Sequence, residues 1–460
     1  MSGPLVMKFG GTSVGNATAM KQAAGIIAKR AAMSSPLAVV VSAMAGVTDA
    51  LVSACQAARS GAANDASRTI ALLRTRHVEV AEGLFESSSD RERVLEMIGT
   101  ECGAVQTALA SPAGRMGPSD AEADAVLATG ELMSSRMLAA VLAAAGVPVQ
   151  WVDSRRVIVT SDLFGSALPL PETTAAAQTE LIPVLRAGAV AVLPGFIGAT
   201  KAGATTTLGR GASDFSASII GAAIDAVEIQ LWTDVDGMLT SDPRIVAGAM
   251  PVDRLSFDEA SELAYFGAKV LHPSTIFPAV EKNIPVRILN TMRPQAPGSL
   301  ISADPPARDA RVAALACRRR ITLIHITSTR VLPSYEFMRR VFEVFERHVT
   351  SVDVVTTAEV SVSVTVHDHR RLDAITRELA EFASVHMEPG MASISAVGER
   401  LREDPAIAVA VIRTLGHFPI RMVSQAASRR NVTVVLSDAD VPAAMTRLHE
   451  ELFTAVGARR

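Results

Sequence analysis

Residues 5–13, LVMKFGGTS, lead an apolar strand straight into a pair of glycines. A helical stretch, AMKQAAGIIAKRAA (19–32), follows, and then a second apolar strand, LAVVVSA (37–43). Apolar strands that alternate with helices are typical of a parallel sheet buried on both faces. This start therefore predicts an α/β fold with a mainly parallel sheet sandwiched by helices.

The same alternation continues to about Ser302. Further strands are expected at VPVQWVD (147–153), AVAVLPGFIGA (189–199), EIQLWTD (228–234) and IPVRILN (284–290). Residues 64–124 have helical periodicity and many charges. They indicate a mostly helical insertion over one face of the sheet.

The segment ISADPPARDA (301–310) concentrates proline and small polar residues and marks a domain boundary. Beyond it, the order strand, helix, hairpin, helix occurs twice, at an offset of roughly seventy residues. One further strand would complete each unit as a ferredoxin-like βαββαβ module. We expect a catalytic domain at 1–302, a linker at 303–310, and two modules at 311–388 and 389–460.

Composition excludes several classes of protein. The net charge of −3 and the pI near 6.3 provide no positive field for nucleic acid. Cys55, Cys102 and Cys317 lack metal or redox spacing, which indicates reduced thiols in a cytoplasm. No signal-peptide pattern opens the chain, and the longest apolar run, 137–149, is too short to span a bilayer. We expect a cytoplasmic protein with no membrane partner.

Two glycine-bearing turns follow the first two strands. In the first, Lys8 precedes Gly10 and Gly11, whose amides can approach an anion at the start of a helix. It is not a Walker A loop, because no GKS or GKT follows. The second, SAMAGVTD (42–49), contains Thr48. The alternatives are a tight turn with a surface lysine and an ordinary loop capped by Thr48 or Asp49.

The densest motif is TTTLGRGASD (205–214), just before a helical stretch. Arg210 stands between two glycines, which suits a guanidinium that binds a carboxylate through two hydrogen bonds. Asp214 is suited to cap the helix or to orient a lysine. Packing alone rarely requires this combination of residues.

Acidic residues end a later strand, at WTDVDG (232–237), and SDPR (241–244) follows. Acidic and hydroxyl groups at the carboxyl end of a strand suit a nucleotide or its metal ion. The last motif, FGAKVLHP (266–273), places Lys269 in an apolar stretch. A turn rich in Asp and Gly, and a lysine whose charge reaches the surface, are the structural alternatives.

Together and in this order, the five segments closely resemble the aspartate kinases of the amino-acid kinase superfamily, and the C-terminal repeat resembles their tandem ACT domains. The resemblance implies an amino-acid kinase fold followed by two ferredoxin-like ACT domains. It implies transfer of the γ-phosphate of ATP to the side-chain carboxylate of L-aspartate. The product is 4-phospho-L-aspartate, and the reaction is the first step in the biosynthesis of lysine, threonine and methionine.

Site residues follow from the resemblance position by position. Lys8 neutralises charge on the transferring phosphoryl group, and Asp214 holds that lysine in place. The implied substrate contacts are Thr48, Glu131, Arg210 and Ser213. The implied nucleotide contacts are Lys8, Gly10, Gly11, Ser13, Thr233, Asp234, Arg244 and Lys269.

This chemistry is coherent, because phosphoryl transfer depends on positioning and on cations that meet spread negative charge. Lys8, Lys269, Arg244 and a Mg²⁺ ion would offset the repulsion between ATP and the acceptor carboxylate. The acceptor is already ionised near pH 7, since its reference pKa is about 3.9. We therefore assign no catalytic base and no dedicated metal ligand.

The resemblance also implies an effector site between ACT domains of paired chains, and hence a homodimer. The residues that match the pattern of lysine-inhibited relatives are Ser334, Val352, Asp353, Thr357 and Glu359. Tyr335 and Glu336 depart from it, because the relatives carry a small basic-glycine pair there. A ring and a carboxylate would crowd the pocket and repel the effector's own carboxylate. This departure argues against lysine, so the effector, lysine or threonine, is left open; a dimerisation platform without a ligand is the alternative.

Two other functions stay open. One is a kinase for glutamate, acetylglutamate or an aspartate analogue, because one methylene discriminates by only about 1–3 kcal/mol. The other is a non-catalytic amino-acid sensor, against which Lys8, Arg210 and Asp214 argue. The sequence does not decide between dimer and tetramer, or between a primary and a specialised pathway.

Overall fold

The computed structural model describes residues 3–33, 36–110, 117–209, 211–268, 273–304, 312–329, 333–425 and 429–454. The chain forms two compact units. The first comprises Met1–Met238, Asp253–Phe257 and Leu271–Asp304, and the second comprises Leu239–Val252, Asp258–Val270 and Pro305–Arg460. Two short segments of the predicted catalytic domain thus group with the C-terminal modules. The exact domain boundaries stay a prediction.

An eight-stranded sheet forms the centre of the first unit, in the order β3-β5-β2-β1-β8-β10-β11-β9. All neighbours are parallel except β10 and β11. A smaller sheet has the order β4-β6-β7. The strands are β1 (Leu5–Phe9), β2 (Leu37–Val41), β3 (Val149–Trp151), β4 (Val159–Thr160), β5 (Val190–Pro194), β6 (Ile197–Thr200), β7 (Thr205–Thr207), β8 (Glu228–Thr233), β9 (Arg254–Ser256), β10 (Val286–Asn290) and β11 (Ser299–Ser302).

Helices cover both faces of this sheet. In the first unit they are α1 (Ala17–Ala31), α2 (Val47–Arg59), α3 (Ala63–Leu84), α4 (Ser88–Leu109), α5 (Asp120–Ala144), α6 (Glu172–Arg186), α7 (Ala212–Ala223) and α9 (Phe277–Glu281). Helix α8 (Phe257–Tyr265) begins at the unit boundary and belongs mostly to the second unit. Helices α3 and α4, of 22 residues each, confirm the predicted helical insertion.

Strand registry brings the carboxyl ends of the central strands to one level. Phe9 on β1 lies beside Val41 of β2 and Trp232 of β8. Every residue of β2 and β5 is buried, so the strands have no solvent-facing side. The turns that follow β1, β2 and β8 therefore meet at the edge where α/β proteins bind ligands.

Helix α5 is the longest in the structure as described, and it crosses the interior of the first unit. It starts with a capping box, in which the Ser119 hydroxyl accepts from the Glu122 amide and the Glu122 carboxylate accepts from the Ser119 amide. Its length and apolar composition would allow a membrane span, but most of its apolar stretch is buried inside the protein. It also buries polar residues, as expected for a core helix that serves a site.

The second unit contains one six-stranded antiparallel sheet, in the order β13-β14-β12-β15-β17-β16. Its strands are β12 (Ala314–Ser328), β13 (Val355–Thr357), β14 (Ser361–Val366), β15 (Ala383–Val397), β16 (Met422–Ser424) and β17 (Asn431–Ser437). Its helices are α10 (Ser334–Arg347), α11 (Leu372–Leu379), α12 (Pro405–Leu415) and α13 (Val441–His449).

The two ferredoxin-like modules share their long central strands. The second half of β12 and the first half of β15 pair with each other beside β14, over the apolar core under α10 and α11. The first half of β12 and the second half of β15 pair beside β17, over the core under α12 and α13. The missing strand of each module is thus half of a 15-residue strand.

Candidate active site

Lys8 and Asp214 form an ion pair at the carboxyl edge of the central sheet. Lys8 is on β1, and Asp214 is in the first turn of α7, which begins after Gly211 at a φ of +70°. Lys8 Nζ lies 2.6 Å from Asp214 Oδ1, and the two side chains are only 11% and 20% exposed. A partly buried pair of this kind fixes the ammonium group in one place. Asp214 thus lies where it can orient the lysine, one of the two roles considered for it.

Glu131 is a buried carboxylate near this pair. It projects from α5, is 3% exposed, and its Oε2 atom has no hydrogen-bond partner. Burial raises the pKa of Glu131 to about 8, while the Ala43 amide and the charge of Lys8 act in the opposite direction. A buried, unpartnered carboxylate oxygen is costly unless a ligand satisfies it. An ammonium group is the donor that would satisfy it best.

The turns after β1 and β2 pack directly against each other. Gly11 accepts a hydrogen bond from the Ala45 amide at 3.0 Å. A Cβ atom on Gly11 would lie 2.9 Å from the Ala43 carbonyl oxygen, so only glycine permits this approach. Thr48 follows in the first turn of α2 and is partly exposed. The predicted phosphate turn and the predicted substrate turn are therefore in contact.

Gly10 and Ser13 make internal hydrogen bonds. The Gly10 amide donates to the Trp232 carbonyl at 2.9 Å. The Ser13 hydroxyl, 2% exposed, lies 3.2 Å from the same carbonyl and 2.6 Å from the Thr291 hydroxyl. These contacts tie the first turn to β8 and β10. Any contact of Gly10 and Ser13 with a nucleotide stays a prediction.

Asp124 is a residue that the sequence reasoning missed. It is 2% exposed on α5 and accepts hydrogen bonds from the Thr207 amide (2.8 Å), the Thr207 hydroxyl (2.9 Å) and the Gly165 amide (2.9 Å). Burial raises the pKa of its carboxyl group against these hydrogen bonds. Asp124 therefore fixes β7, the strand that leads into the segment with Ser213 and Asp214, to the helix that carries Glu131.

Two neighbouring carboxylates after β8, Asp234 and Asp236, have different surroundings. Asp236 is engaged by the Asn290 amide group at 2.7 Å and by Arg293. Asp234 is exposed, and its carboxylate accepts a hydrogen bond from the Thr233 hydroxyl at 3.1 Å. Asp234 is thus the carboxylate at this strand end that faces solvent.

Comparison with known proteins gives the family. The model of the amino acid kinase family matches residues 3–290, and an ACT domain model matches residues 394–452. Lysine-sensitive aspartokinase 3 of Escherichia coli is 36% identical, with 98% of this chain and all of that protein aligned. The crystal structure of E. coli aspartokinase III with aspartate and ADP has a TM-score of 0.80 at 35% identity, covering 98% of this chain and 99% of that chain. Its complex with lysine and aspartate also has a TM-score of 0.80, at 34% identity and with the same coverage.

This chain belongs to the aspartokinases of the amino acid kinase family. The predicted family and fold class are thereby confirmed, including the ferredoxin-like modules after the catalytic domain.

Three further residues were predicted as site residues of this aspartokinase. Arg244 belongs to the second unit, where its guanidinium binds the Asp242 carboxylate through two hydrogen bonds of 2.9 and 2.6 Å. That pairing raises the pKa of Arg244. Arg210 and Lys269 lie outside the described residues.

The predicted effector residues lie around the first ACT module. Ser334 opens α10 and is exposed, Thr357 ends β13, and Glu359 is exposed beyond it. The departing residue Tyr335 has a side chain that is 73% exposed. Val352 and Glu336 are partly buried.

Asp353, in the same group, is already engaged. Its side chain is 8% exposed, and Arg318 Nη1 lies 2.6 Å from its Oδ1 atom. His367 Nδ1 lies 2.9 Å from its Oδ2 atom, and the Tyr265 hydroxyl donates to its backbone carbonyl at 3.0 Å. An effector ammonium group would have to compete with Arg318 for this carboxylate.

Proposed function

We propose that this chain is an ATP-dependent aspartate kinase that converts the side-chain carboxylate of L-aspartate into the acyl phosphate of 4-phospho-L-aspartate. The observation that carries the proposal is the ion pair of Lys8 and Asp214 beside the buried, unpartnered Glu131 oxygen. The Lys8 ammonium group suits a phosphoryl group, and the Glu131 carboxylate suits the ammonium group of an amino acid. The product opens the synthesis of lysine, threonine and methionine.

In the proposed reaction, Lys8 meets the negative charge of the transferring phosphoryl group. Fixed cations act strongly in such sites because they need no reorganisation when charge develops. Asp214 keeps the ammonium group in place through their ion pair. No residue removes a proton, because the acceptor carboxylate is already ionised near pH 7.

L-Aspartate binds through its two ends. Glu131 accepts hydrogen bonds from the α-ammonium group, and Arg210 binds a carboxylate with Thr48 and Ser213 beside it. The partnerless Glu131 oxygen supports the first contact, and the E. coli relative solved with aspartate and ADP supports the choice of substrate. The roles of Thr48, Arg210 and Ser213 rest on the family motif.

ATP binds along the turn after β1 and the end of β8, with Thr233, Arg244 and Lys269 as further contacts. A Mg²⁺ ion bound with ATP usually takes one or two carboxylates, phosphate oxygens and waters. The exposed Asp234 fits that donor set, while Asp236 is engaged by Asn290 and Arg293. Among the residues that the structure describes, no cluster of three or more His, Cys, Asp or Glu side chains suits a metal. When bound, the ion would neutralise phosphate charge, and Asp234 would hold it.

Regulation and assembly complete the proposal. The ACT modules bind an amino-acid effector, lysine or threonine, and join two chains into a homodimer. The lysine complex of the E. coli relative supports an effector, whereas the Asp353 pair with Arg318 and the Tyr335 substitution argue for weaker lysine binding here. The free thiols Cys55, Cys102 and Cys317 support a cytoplasmic location.

The test is an assay with ATP, Mg²⁺ and hydroxylamine, which traps an acyl phosphate as a hydroxamate. L-Aspartate, L-glutamate and N-acetyl-L-glutamate are compared at equal concentration, with lysine and threonine added in parallel. We expect turnover with aspartate at least about tenfold above turnover with L-glutamate, which is one carbon longer, and with N-acetyl-L-glutamate, which also lacks the ammonium group. Preference for one of the other two acids would refute the proposed substrate. So would the absence of ATP turnover with all three acids.

A further inference from the structure

The helical insertion contacts the predicted catalytic turns through one arginine. Arg76 on α3 donates from Nη1 to the Ala45 carbonyl at 2.7 Å and from Nη2 to the Gly15 carbonyl at 3.1 Å. Ala45 is in the turn after β2, and Gly15 is in the turn after β1. One partly buried guanidinium thus joins two turns that are about thirty residues apart in sequence.

These turns are the two whose relative position matters most for the proposed reaction. The first follows Lys8. The second contains Ala43, whose amide contacts the Glu131 carboxylate, and leads to Thr48. The Ser134 hydroxyl of α5 donates to the Ser42 carbonyl at 2.6 Å, which fixes the start of the second turn. Arg76 provides the corresponding tie at the far side of that turn.

A guanidinium is better suited to this task than an ammonium group, whose donors all lie on one nitrogen atom at the end of a flexible stem. Its planar fork presents several N–H groups in fixed directions, so it can serve two carbonyl oxygens at once. Hydrogen bonds from a charged donor are also roughly twice as strong as neutral ones. Both partners here are backbone oxygens, so the side chain positions the main chain of the turns.

We propose that Arg76 is a positioning residue that holds the turns after β1 and β2 in register, so that the phosphoryl donor and the acceptor carboxylate meet in line. This inference rests on the proposed function. In-line transfer requires reacting atoms within about 3–3.5 Å, and a shift of about 1 Å costs about 100-fold in rate. Arg76 acts through the two turns, so its loss changes the rate more than the binding of either substrate.

The experiment compares Arg76→Met and Arg76→Lys with Arg74→Met, a change of an exposed arginine on the same helix. We expect kcat to fall about 100-fold for Arg76→Met and at least about tenfold for Arg76→Lys. The KM values for ATP and aspartate should stay within about threefold of the unchanged protein. Arg74→Met should keep its kcat.

Arg76→Lys decides between positioning and charge, because it keeps the positive charge and loses the fork. A wild-type kcat in Arg76→Lys would overturn the proposal. So would KM values that rise as much as kcat falls, since that indicates lost binding. If Arg76→Met does not fold, Arg76→Lys carries the test, with its melting temperature measured alongside.

A second readout does not depend on the substrate. Hydrogen exchange of the Ala45 amide, which donates to Gly11, should be faster in Arg76→Lys than in Arg74→Met. Unchanged exchange would overturn the proposal. If the wild-type protein does not phosphorylate aspartate but the two variants differ in exchange as expected, the proposed function is refuted and the positioning role of Arg76 stands.

Discussion

The ion pair of Lys8 and Asp214 places a fixed positive charge where two anions must meet. We predict that Lys8→Met lowers kcat by about two to three orders of magnitude, the usual effect of removing one preorganised electrostatic donor. Steady-state kinetics measure the effect, with Lys21→Met, an exposed residue on α1, as the matched control. A loss smaller than about fivefold would contradict the role of Lys8.

The pKa of Glu131, raised to about 8 by burial, predicts a pH dependence of aspartate binding. Only the ionised carboxylate binds an ammonium group well. We therefore expect kcat/KM for aspartate to rise from pH 6.5 to 8.5, with the KM for ATP little changed. Glu131→Gln should abolish this rise and increase the KM for aspartate by at least about tenfold. The same rise in the variant would contradict the assignment.

Glu131 also links stability to pH, with a definite sign. In the folded protein the Glu131 carboxyl group keeps its proton up to about pH 8, whereas in the unfolded chain it releases the proton near pH 4.5. The folded state thus binds more protons between these values, and its free energy of unfolding decreases as the pH rises through them, by up to about 1.4 kcal/mol per pH unit. Urea unfolding should show this slope in the unchanged protein relative to Glu131→Gln. A slope of opposite sign would contradict the buried, protonated group.

At the scale of elements, Asp124 connects β7 to α5. We predict that Asp124→Asn destabilises the protein by about 1–3 kcal/mol, because an amide group would face N–H donors. The KM for aspartate should rise several-fold, since Ser213 follows β7 and Glu131 is on α5, while the KM for ATP should change less than twofold. Asp120→Asn, at an exposed position on the same helix, is the control. Equal changes in both KM values would indicate general damage.

Local patterns in the sequence predicted the elements well where the segment was apolar throughout. Strands β1, β2, β5, β8 and β10 fall inside the predicted runs, and α3 and α4 cover most of the insertion predicted at 64–124. The short strands β4, β9 and β11 were missed, because two to four residues carry little periodicity. Strand β7 has the sequence TTT, whose polar side chains suggested a site motif and concealed a buried strand.

The site was predictable only where chemistry is local. Lys8, Gly11 and Asp214 stand in motifs whose residues are neighbours in sequence. Asp124 and Arg76 bond to backbone groups of Thr207, Gly15 and Ala45, from 31 to 83 residues away. No side-chain pattern marks a backbone partner, so these two residues required the structure.

At the scale of the whole molecule, each C-terminal module completes its sheet with half of β12 and half of β15. Neither module can be removed without breaking a strand of the other. Binding of lysine or threonine to one module should therefore also affect the other, and truncation between the modules should unfold the second unit.

The oligomeric state, which we attribute to the ACT modules, is a separate prediction. We predict a homodimer at micromolar concentration, with a mass in solution of twice the 48.2 kDa of the chain. Sedimentation or light scattering measures it directly, and a larger assembly would indicate that dimers pair further. A mass of one chain at that concentration would contradict the prediction.

We propose that fixed positive groups hold the terminal phosphate of ATP against the side-chain carboxylate of aspartate. The most direct measurement traps the product of ATP, Mg²⁺ and L-aspartate with hydroxylamine and determines by mass spectrometry which carboxyl group carries the hydroxamate. We expect the side-chain hydroxamate alone, formed in step with ADP. A hydroxamate on the α-carboxyl group, or ADP release without any hydroxamate, would contradict it.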